Sequence, residues 1–388
     1  MQERRRQALM VTISDVTMPL GPAVSTMSVA EAIAAAGHDV ELLATRQDNR
    51  PPILDVRGVT ICWTPNGRAL RLPIAFDALL QLPATFAAIR KYRPELLYIR
   101  HSTFAALVAA LGRLMRVPLI VAEHNSWQAD ERRHGSHRRW LAPMEDFLQA
   151  ALGRLAHRNR VVIAENGATL EKRGVPRDRV FLQPNGTNIR HISPRERAES
   201  LERFKLSPTE LHLGFVGTFA WWQALPDLLP ELALIVKQYP NARLLLAGDG
   251  PARDEIVRRA VAYGLRDRVS LLGVVPFTEL PSLLACFDLA LLPTATGHFV
   301  GTGRSPMKLG DYAAAGRPIL AARIAGFDAF EAQGALALYD PEQAGALANA
   351  VITLLGDPER RARMGQEARR LAVENLSWDV RIAPLIAP

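Results

Sequence analysis

Short apolar runs of strand length alternate with helix-length segments along almost the whole chain, and that alternation admits few folds. In the first half it places strands at residues 9–13 and 39–44 around a loop at 19–22 and a helix at 24–36 that Gly37 closes, which is a β-α-β unit. Further strands are expected at 96–99, 119–123, 161–164 and 180–183. The second half repeats the logic with strands at 211–216, 243–247, 269–272, 289–292 and 319–322. Strands that are apolar throughout belong to a sheet covered on both faces, and parallel neighbours need a crossover, which the intervening helices supply. The expected class is α/β, with two doubly wound parallel sheets. Between the halves, residues 189–208 turn abruptly polar and charged, which sets a first domain at 1–190, a second at 191–374 and a terminal segment at 375–388. A chain of 388 residues also exceeds the size at which one core keeps growing. No short tandem repeat is present, so the duplication is one of architecture. Two facing domains of this kind are expected to bind ligands in a cleft at the carboxyl ends of their strands.

Residues 301–319, GTGRSPMKLGDYAAAGRPI, place two cations where a helix begins. Ser305 suits an N-cap, Pro306 the first helical position, and Gly316 with Pro318 closes a helix of about three turns. Such an end already carries partial positive charge and N–H groups without helical partners, and Arg304 and Lys308 add charge of the same sign. The complement of that arrangement is an anion, and a glycine-rich approach to it suits a phosphate or diphosphate. Asp311, three residues past Lys308 on the same side, could accept hydrogen bonds from a ribose. The plain alternative is a capped core helix whose Lys and Arg extend to solvent.

The net charge of +8 asks for an acidic partner: nucleotide phosphates, an anionic membrane surface or nucleic acid. Arg132, Arg133, Arg138 and Arg139, with His134, His137 and Trp140, form the densest basic patch, and such a loop is more often a solvated face than a docking surface. With aromatic residues at 6% there are too few stacking platforms for a nucleic-acid strand, so no nucleic-acid partner is expected. The longest apolar stretches fall well short of the ~20 residues that a membrane-spanning helix needs. The basic N-terminus runs directly into a strand-like segment instead of a leader, and Cys62 and Cys286 form no CxxC or Cys/His cluster. The expectation is a cytoplasmic protein, with peripheral attachment to the inner face of a membrane as a variant, no disulfide framework and no structural zinc.

Several segments, taken in order, resemble the retaining glycosyltransferases of family four, the group 1 type with the GT-B fold of two Rossmann-like domains. They are VAEHN at 121–125, LQPNGTN at 182–188, GFVGTFAWWQA at 214–224, LLAGDGP at 245–251, LGVVP at 272–276, FDLALLP at 287–293 and SPMKLGDYAAAGRP at 305–318. The resemblance implies transfer of a sugar from a nucleotide-diphosphate donor to an acceptor hydroxyl with retention of configuration, without metal or any cofactor beyond the nucleotide-sugar substrate. It implies an acceptor site in the first domain for a glycan or lipid-linked acceptor, in cell-envelope or exopolysaccharide synthesis, with an anionic membrane surface as a further partner. Domain closure about the 189–208 linker would exclude water. Residues 376–388 resemble the segment that returns to pack on the first domain.

Carried over by position, Arg304, Ser305, Pro306, Met307 and Lys308 look like donor-diphosphate contacts, joined by Gly21, Gly217, Thr218 and Gln223. Gly248, Gly250, Val274 and Val275 lie in loops similar to those that face the nucleobase and ribose, although each glycine alone reads as an ordinary tight turn. Asp311 stands where the family commonly has a ribose-binding glutamate. His124 matches a histidine beside the transferred sugar and, with Lys308 and Arg304, completes the catalytic set; a lone histidine is otherwise most often structural. Three positions depart from the pattern. Thr218 and Gln223 stand where many members have Arg and Lys, and Gly303 replaces the first of two paired glutamates, the one that touches the donor sugar. A neutral amide at 223 can donate to a diphosphate but stabilises it less than an ammonium. Two other readings share the fold: a sugar-nucleotide 2-epimerase, which would need acid and base residues that the sequence does not display, and a noncatalytic partner protein, which the two neutral positions favour.

Overall fold

The computed structural model describes residues 6–46, 48–66, 77–100, 102–125, 142–295, 305–324 and 326–387. The chain divides into two compact units, one running to Asn185 and resuming at Trp378, the other spanning Gly186–Ser377.

The first unit holds a seven-stranded parallel sheet ordered β3-β2-β1-β4-β5-β6-β7. Its strands are β1 (Arg6–Asp15), β2 (His38–Thr45), β3 (Val59–Trp63), β4 (Leu96–Arg100), β5 (Leu119–His124), β6 (Arg158–Val161) and β7 (Val180–Leu182). Met10, Leu42, Leu97, Tyr98 and Val121 are fully enclosed, as the unbroken apolar pattern requires of strands covered on both faces. The strand order reverses between β1 and β4. The strand expected at 161–164 lies earlier, at 158–161, and a helix starts at Ala164. Its sequence, RNRV, carries polar residues whose side chains Asn159 and Arg160 are buried nonetheless, because each finds partners on neighbouring elements. The half-buried edge strand β3 was not expected either. The closing helix Trp378–Ile386 buries Trp378, Ile382 and Leu385 in this unit, packs on the helix Gly21–Ala35, and receives a hydrogen bond of 2.6 Å from Arg158 Nη1 to Ala387 O.

The second unit has a six-stranded parallel sheet ordered β10-β9-β8-β11-β12-β13. Its strands are β8 (Leu211–Val216), β9 (Ala242–Ala247), β10 (Val269–Gly273), β11 (Leu289–Leu292), β12 (Ile319–Ala322) and β13 (Ala337–Tyr339). One face packs Leu213, Phe215, Leu244, Leu246, Leu289 and Leu291 against the helices Leu228–Gln238 and Ala346–Leu355. On β8, Gly214 meets the Phe287 ring so closely that a Cβ would sit 2.2 Å from it. Phe287 stacks edge-on against Tyr312, and the Tyr312 hydroxyl accepts a hydrogen bond from Val216 N at 3.0 Å. A glycine, two rings and one hydroxyl thereby fix the helix Met307–Ala314 against the end of β8. That helix begins one residue later than expected and is shorter: Pro306 is its N-cap, extended at φ −70° and ψ 125°, and no side chain caps it. Gly316, at φ +66°, ends it with its N–H donating to Ala313 O. At the start of the unit, Thr187 N donates to Leu376 O at 2.8 Å and Thr187 bridges Ser377, so the entering and leaving segments run side by side.

Candidate functional site

The strand order of the second unit reverses between β8 and β11, and the loop after β8 and the helix after β11 meet there. Open parallel sheets bind ligands at such a point. Gly217, the first residue beyond β8, has φ +138°, and a Cβ on it would lie 3.0 Å from Lys308 Nζ. The ammonium sits over the Phe215 ring, 5.2 Å from its centroid, within the range of a cation–π contact. In the orientation of the Gln223 amide that satisfies its neighbours, the oxygen accepts from Lys308 Nζ at 3.1 Å and from Trp222 Nε1 at 3.2 Å. The amide oxygen thus faces a cation, because an ammonium and an indole N–H both need an acceptor there. Thr218 is exposed, and the adjoining Trp221 is 56% exposed.

The Met307–Ala314 helix is electrostatically one-sided. Its C-terminal carbonyls are held by cations, Arg369 Nη1 to Ala314 O at 2.8 Å and Arg317 Nε to Ala315 O at 3.1 Å, as the helix dipole favours. Its first turn has no side-chain cap and carries Lys308 instead of an acid. Ser305, Pro306 and Met307 line this end, half-buried. Arg304 and Gly303 lie outside the described residues, as does the basic patch at 132–139.

Asp311, one turn further on, accepts a hydrogen bond from Thr187 Oγ1 at 2.8 Å. Burial of the carboxyl group pushes its pKa up to about 7, against the opposing pull of the Thr187 hydrogen bond and the Lys308 charge. Gly310 makes this approach feasible, since a Cβ there would lie 2.9 Å from Thr187 Cβ.

The loops after β8, β9 and β10 stack backbone on backbone. Gly248 N donates to Gly273 O at 2.7 Å, Phe219 N donates to Asp249 O at 2.9 Å, and Gly217 N donates to Ala247 O at 2.9 Å. A Cβ on Gly248 would fall 2.0 Å from Gly217 O, and one on Gly250 2.8 Å from Phe219 N. Both glycines thus serve close backbone approach more than turning. Val274 is exposed and Val275 half-buried at the mouth of this stack.

In the first unit, Gly21 opens the helix Gly21–Ala35 directly after the β1 loop, exposed and with no side-chain cap at Leu20. His124 ends β5 with no exposed surface. Its Nε2 lies 3.0 Å from Asn159 Oδ1 and its Nδ1 3.4 Å from Gln149 Nε2, which assigns the proton to Nε2. Burial pushes its pKa down to about 4, so the ring is neutral near pH 7.

Beside it is a buried ionic cluster that sequence reasoning missed. Glu123 lies 3.1 Å from Arg100 Nη2 and 3.0 Å from Arg160 Nη1, and it accepts from Tyr98 Oη at 2.5 Å and Asn125 Nδ2 at 2.8 Å. Although burial opposes ionisation, these cations and hydrogen bonds hold its pKa down to about 2. Arg160 also stacks on Trp378 at 5.0 Å and donates to Pro184 O and Asn185 Oδ1. The available signal was a charged residue inside an apolar strand, Glu123 in VAEHN.

The structure thus brings Gly217, Gln223 and Lys308 together, stacks Gly248 on Gly217 and Gly250 on Phe219, and sets Asp311 on Thr187. Among the described residues no group of three or more His, Cys, Asp or Glu side chains could hold a metal ion, and no helix is long and apolar enough to cross a membrane.

The model for glycosyl transferases group 1 matches residues 210–357, and that for a glycosyl transferase 4-like domain matches residues 21–186. Alpha-D-kanosaminyltransferase of Streptomyces kanamyceticus is 26% identical over 275 residues, 69% of each chain. A GDP-mannose-dependent alpha-(1-6)-phosphatidylinositol monomannoside mannosyltransferase of Mycolicibacterium smegmatis is 30% identical over 199 residues, 50% of each chain. Among solved structures, sucrose-phosphate synthase from Thermosynechococcus elongatus superposes with a TM-score of 0.75 at 20% identity, over 98% of this chain and 97% of that one. Anabaena Alr3699/HepE in complex with UDP-glucose superposes at 0.69 and 16% identity, over 98% of each chain. With one family model on each half and the GT-B fold across nearly its full length, the chain belongs to the group 1, family four glycosyltransferases.

Proposed function

We propose that the protein transfers a sugar from a nucleoside-diphosphate donor to an acceptor hydroxyl with retention of anomeric configuration. The observation that carries this reading is the Lys308 ammonium held over Gly217 at the start of an uncapped helix, at the point where the strand order reverses. As the bond from the anomeric carbon to the diphosphate oxygen breaks, negative charge grows on the leaving group, the acceptor oxygen forms its bond on the same face, and the acceptor's proton passes to the departing diphosphate. Fixed positive charge that meets growing negative charge lowers the barrier, because it stabilises the transition state more than the bound donor. Lys308 and the N–H groups of the first helical turn are suited to that task, with Arg304 and Ser305 as further diphosphate contacts. Asp311 would accept from the ribose, and the stacked loops at Gly248, Gly250, Val274 and Val275 would flank the base. Gly21 is a further diphosphate contact in this reading, on the resemblance alone. For His124, the enclosed neutral ring supports hydrogen bonding at the end of β5 and not proton transfer.

The positive charge already in place makes a divalent cation unnecessary in this reading, so added EDTA should leave turnover unchanged. The mannosyltransferase relative is named for a phosphatidylinositol-linked substrate, and by analogy we place this protein's acceptor on a glycan or glycolipid in cell-envelope synthesis. Sedimentation with anionic liposomes at low salt would support a membrane partner; no binding at low salt removes it.

The central test is a thermal-shift panel of UDP, GDP, ADP and TDP with their common sugars, on wild type and Lys308→Ala, followed by turnover with the responding donor. One nucleotide should stabilise the wild type and not the variant, and turnover should fall on the order of a hundredfold in Lys308→Ala. A nucleotide response without turnover would favour the noncatalytic reading suggested by Thr218 and Gln223. No response to any nucleotide would overturn the donor site.

A further inference from the structure

We infer that Gln223 is a positioning residue, whose amide oxygen seats the Lys308 ammonium before the donor arrives and does so without cancelling its charge. The inference rests on the donor-site reading above and deepens it. Phe215, Gly217 and Gln223 define the seat, and Trp222 supports it through Gln223. The Phe215 ring lies beneath the ammonium at 5.2 Å, Gly217 leaves the space beside it, and the Gln223 oxygen closes the third side at 3.1 Å. Trp222 Nε1, 3.2 Å from the same oxygen, locks the amide in that orientation. The backbone is fixed as well: Ala295 N donates to Trp222 O at 3.1 Å, tying the turn to the loop after β11, and Tyr312 ties the helix to Val216.

The chemistry of the seat explains why a neutral residue stands at 223. A long lysine side chain loses much rotamer freedom when fixed, and holding it in place before binding means that this loss is not incurred at the moment the diphosphate binds. A carboxylate would hold the ammonium equally well but would form an ion pair and offset the charge meant for the diphosphate. A second ammonium at this distance would repel the first. An amide oxygen accepts the hydrogen bond and adds no negative charge of its own beside the ammonium. The neutrality of Gln223 is thereby a requirement of Lys308 and not simply a lost phosphate contact.

The test compares Gln223→Met, Gln223→Glu, Lys308→Ala and the double variant Gln223→Met/Lys308→Ala, each assayed for its nucleotide-free melting point, nucleoside-diphosphate thermal shift, kcat and KM. Gln223→Glu preserves shape, so a residue that only fills space would tolerate it. The inference expects an unchanged melting point for Gln223→Glu but a nucleotide shift and a kcat reduced about as far as in Lys308→Ala. Gln223→Met should lose about tenfold in kcat, with a smaller change in KM, the scale of one hydrogen bond to a charged group. In the Lys308→Ala background Gln223→Met should have no further effect, because the residue it positions is gone. A further loss in that background would mean that Gln223 contacts the diphosphate itself, and wild-type behaviour of Gln223→Glu would mean that charge at 223 is irrelevant; either overturns the inference. Should wild type itself show no nucleotide shift, the donor-site reading fails first; should wild type and Lys308→Ala respond as expected while both Gln223 variants match wild type, the inference alone fails.

Discussion

Gly248 shows how little room a single residue has at this site. Its φ of +132° disfavours any side chain, and a Cβ would stand 2.0 Å from Gly217 O, a backbone atom that cannot turn aside. Gly248→Ala should therefore destabilise the protein by ~3 kcal/mol, read as a lower urea midpoint with an unchanged slope. It should also disturb Lys308, because Gly217 lies between them. Gly37, by contrast, also has a positive φ but no atom within 4 Å of a built Cβ, so an alanine there carries only the local backbone cost, about 1–2 kcal/mol. The sequence marks both residues alike as glycines after an apolar run. Only the neighbouring loop distinguishes a turn from a close approach.

At the scale of elements, β5 and β6 are joined by more than their ladder. Glu123 and Arg160 are register partners in adjacent strands, and Arg160 connects them to Asn185 and Trp378, the residues at which the first unit is left and re-entered. Removing one partner of a buried pair leaves an uncompensated charge, which costs far more than the pair itself contributes. Arg160→Ala should destabilise by about 3–5 kcal/mol in chemical denaturation, and the double change Glu123→Gln/Arg160→Met should cost less than the sum of the single ones. This cluster also accounts for the misplaced strand. An apolar pattern locates strands whose interior is apolar, as it did for β8, β11 and β12, whereas RNRV is interior because its polar groups are paired. The helix at Met307 was legible from Pro306 and Gly316 because capping and closure are local. Its exact start was not, since Pro306 and Ser305 both suit a helix entrance.

For the whole molecule, two buried groups pull the pH dependence of stability in opposite directions. His124 ionises near 6.5 when unfolded but near 4 when folded, so the unfolded chain binds more protons between those values and stability falls as pH drops through them. Asp311 ionises near 3.8 when unfolded and near 7 when folded, so the folded chain holds the extra proton and stability falls as pH rises through that window. Below about 4.5, Glu123 adds acid lability, because its folded pKa lies near 2. Urea midpoints at several values between about pH 4.5 and 7 should separate the first two groups. Relative to wild type, His124→Asn should tilt the profile toward greater stability at the acid end, and Asp311→Asn toward greater stability at the neutral end. Parallel profiles for all three proteins would contradict both assignments.

The sequence by itself determined the α/β class, the parallel strands, the doubling of the architecture, and a helix carrying Lys308 near its start. These follow from periodicity, capping and turn chemistry, which act over a few residues. The tertiary structure decided what each polar group faces: Gln223 turned toward Lys308, Asp311 toward Thr187, His124 enclosed by Asn159 and Gln149, and Glu123 between two arginines. Partners such as these stand as far apart as 124 residues along the chain. Burying a polar group is tolerated only when a partner satisfies it, and which partner arrives is set by how the strands are ordered, a property that no local stretch of sequence contains.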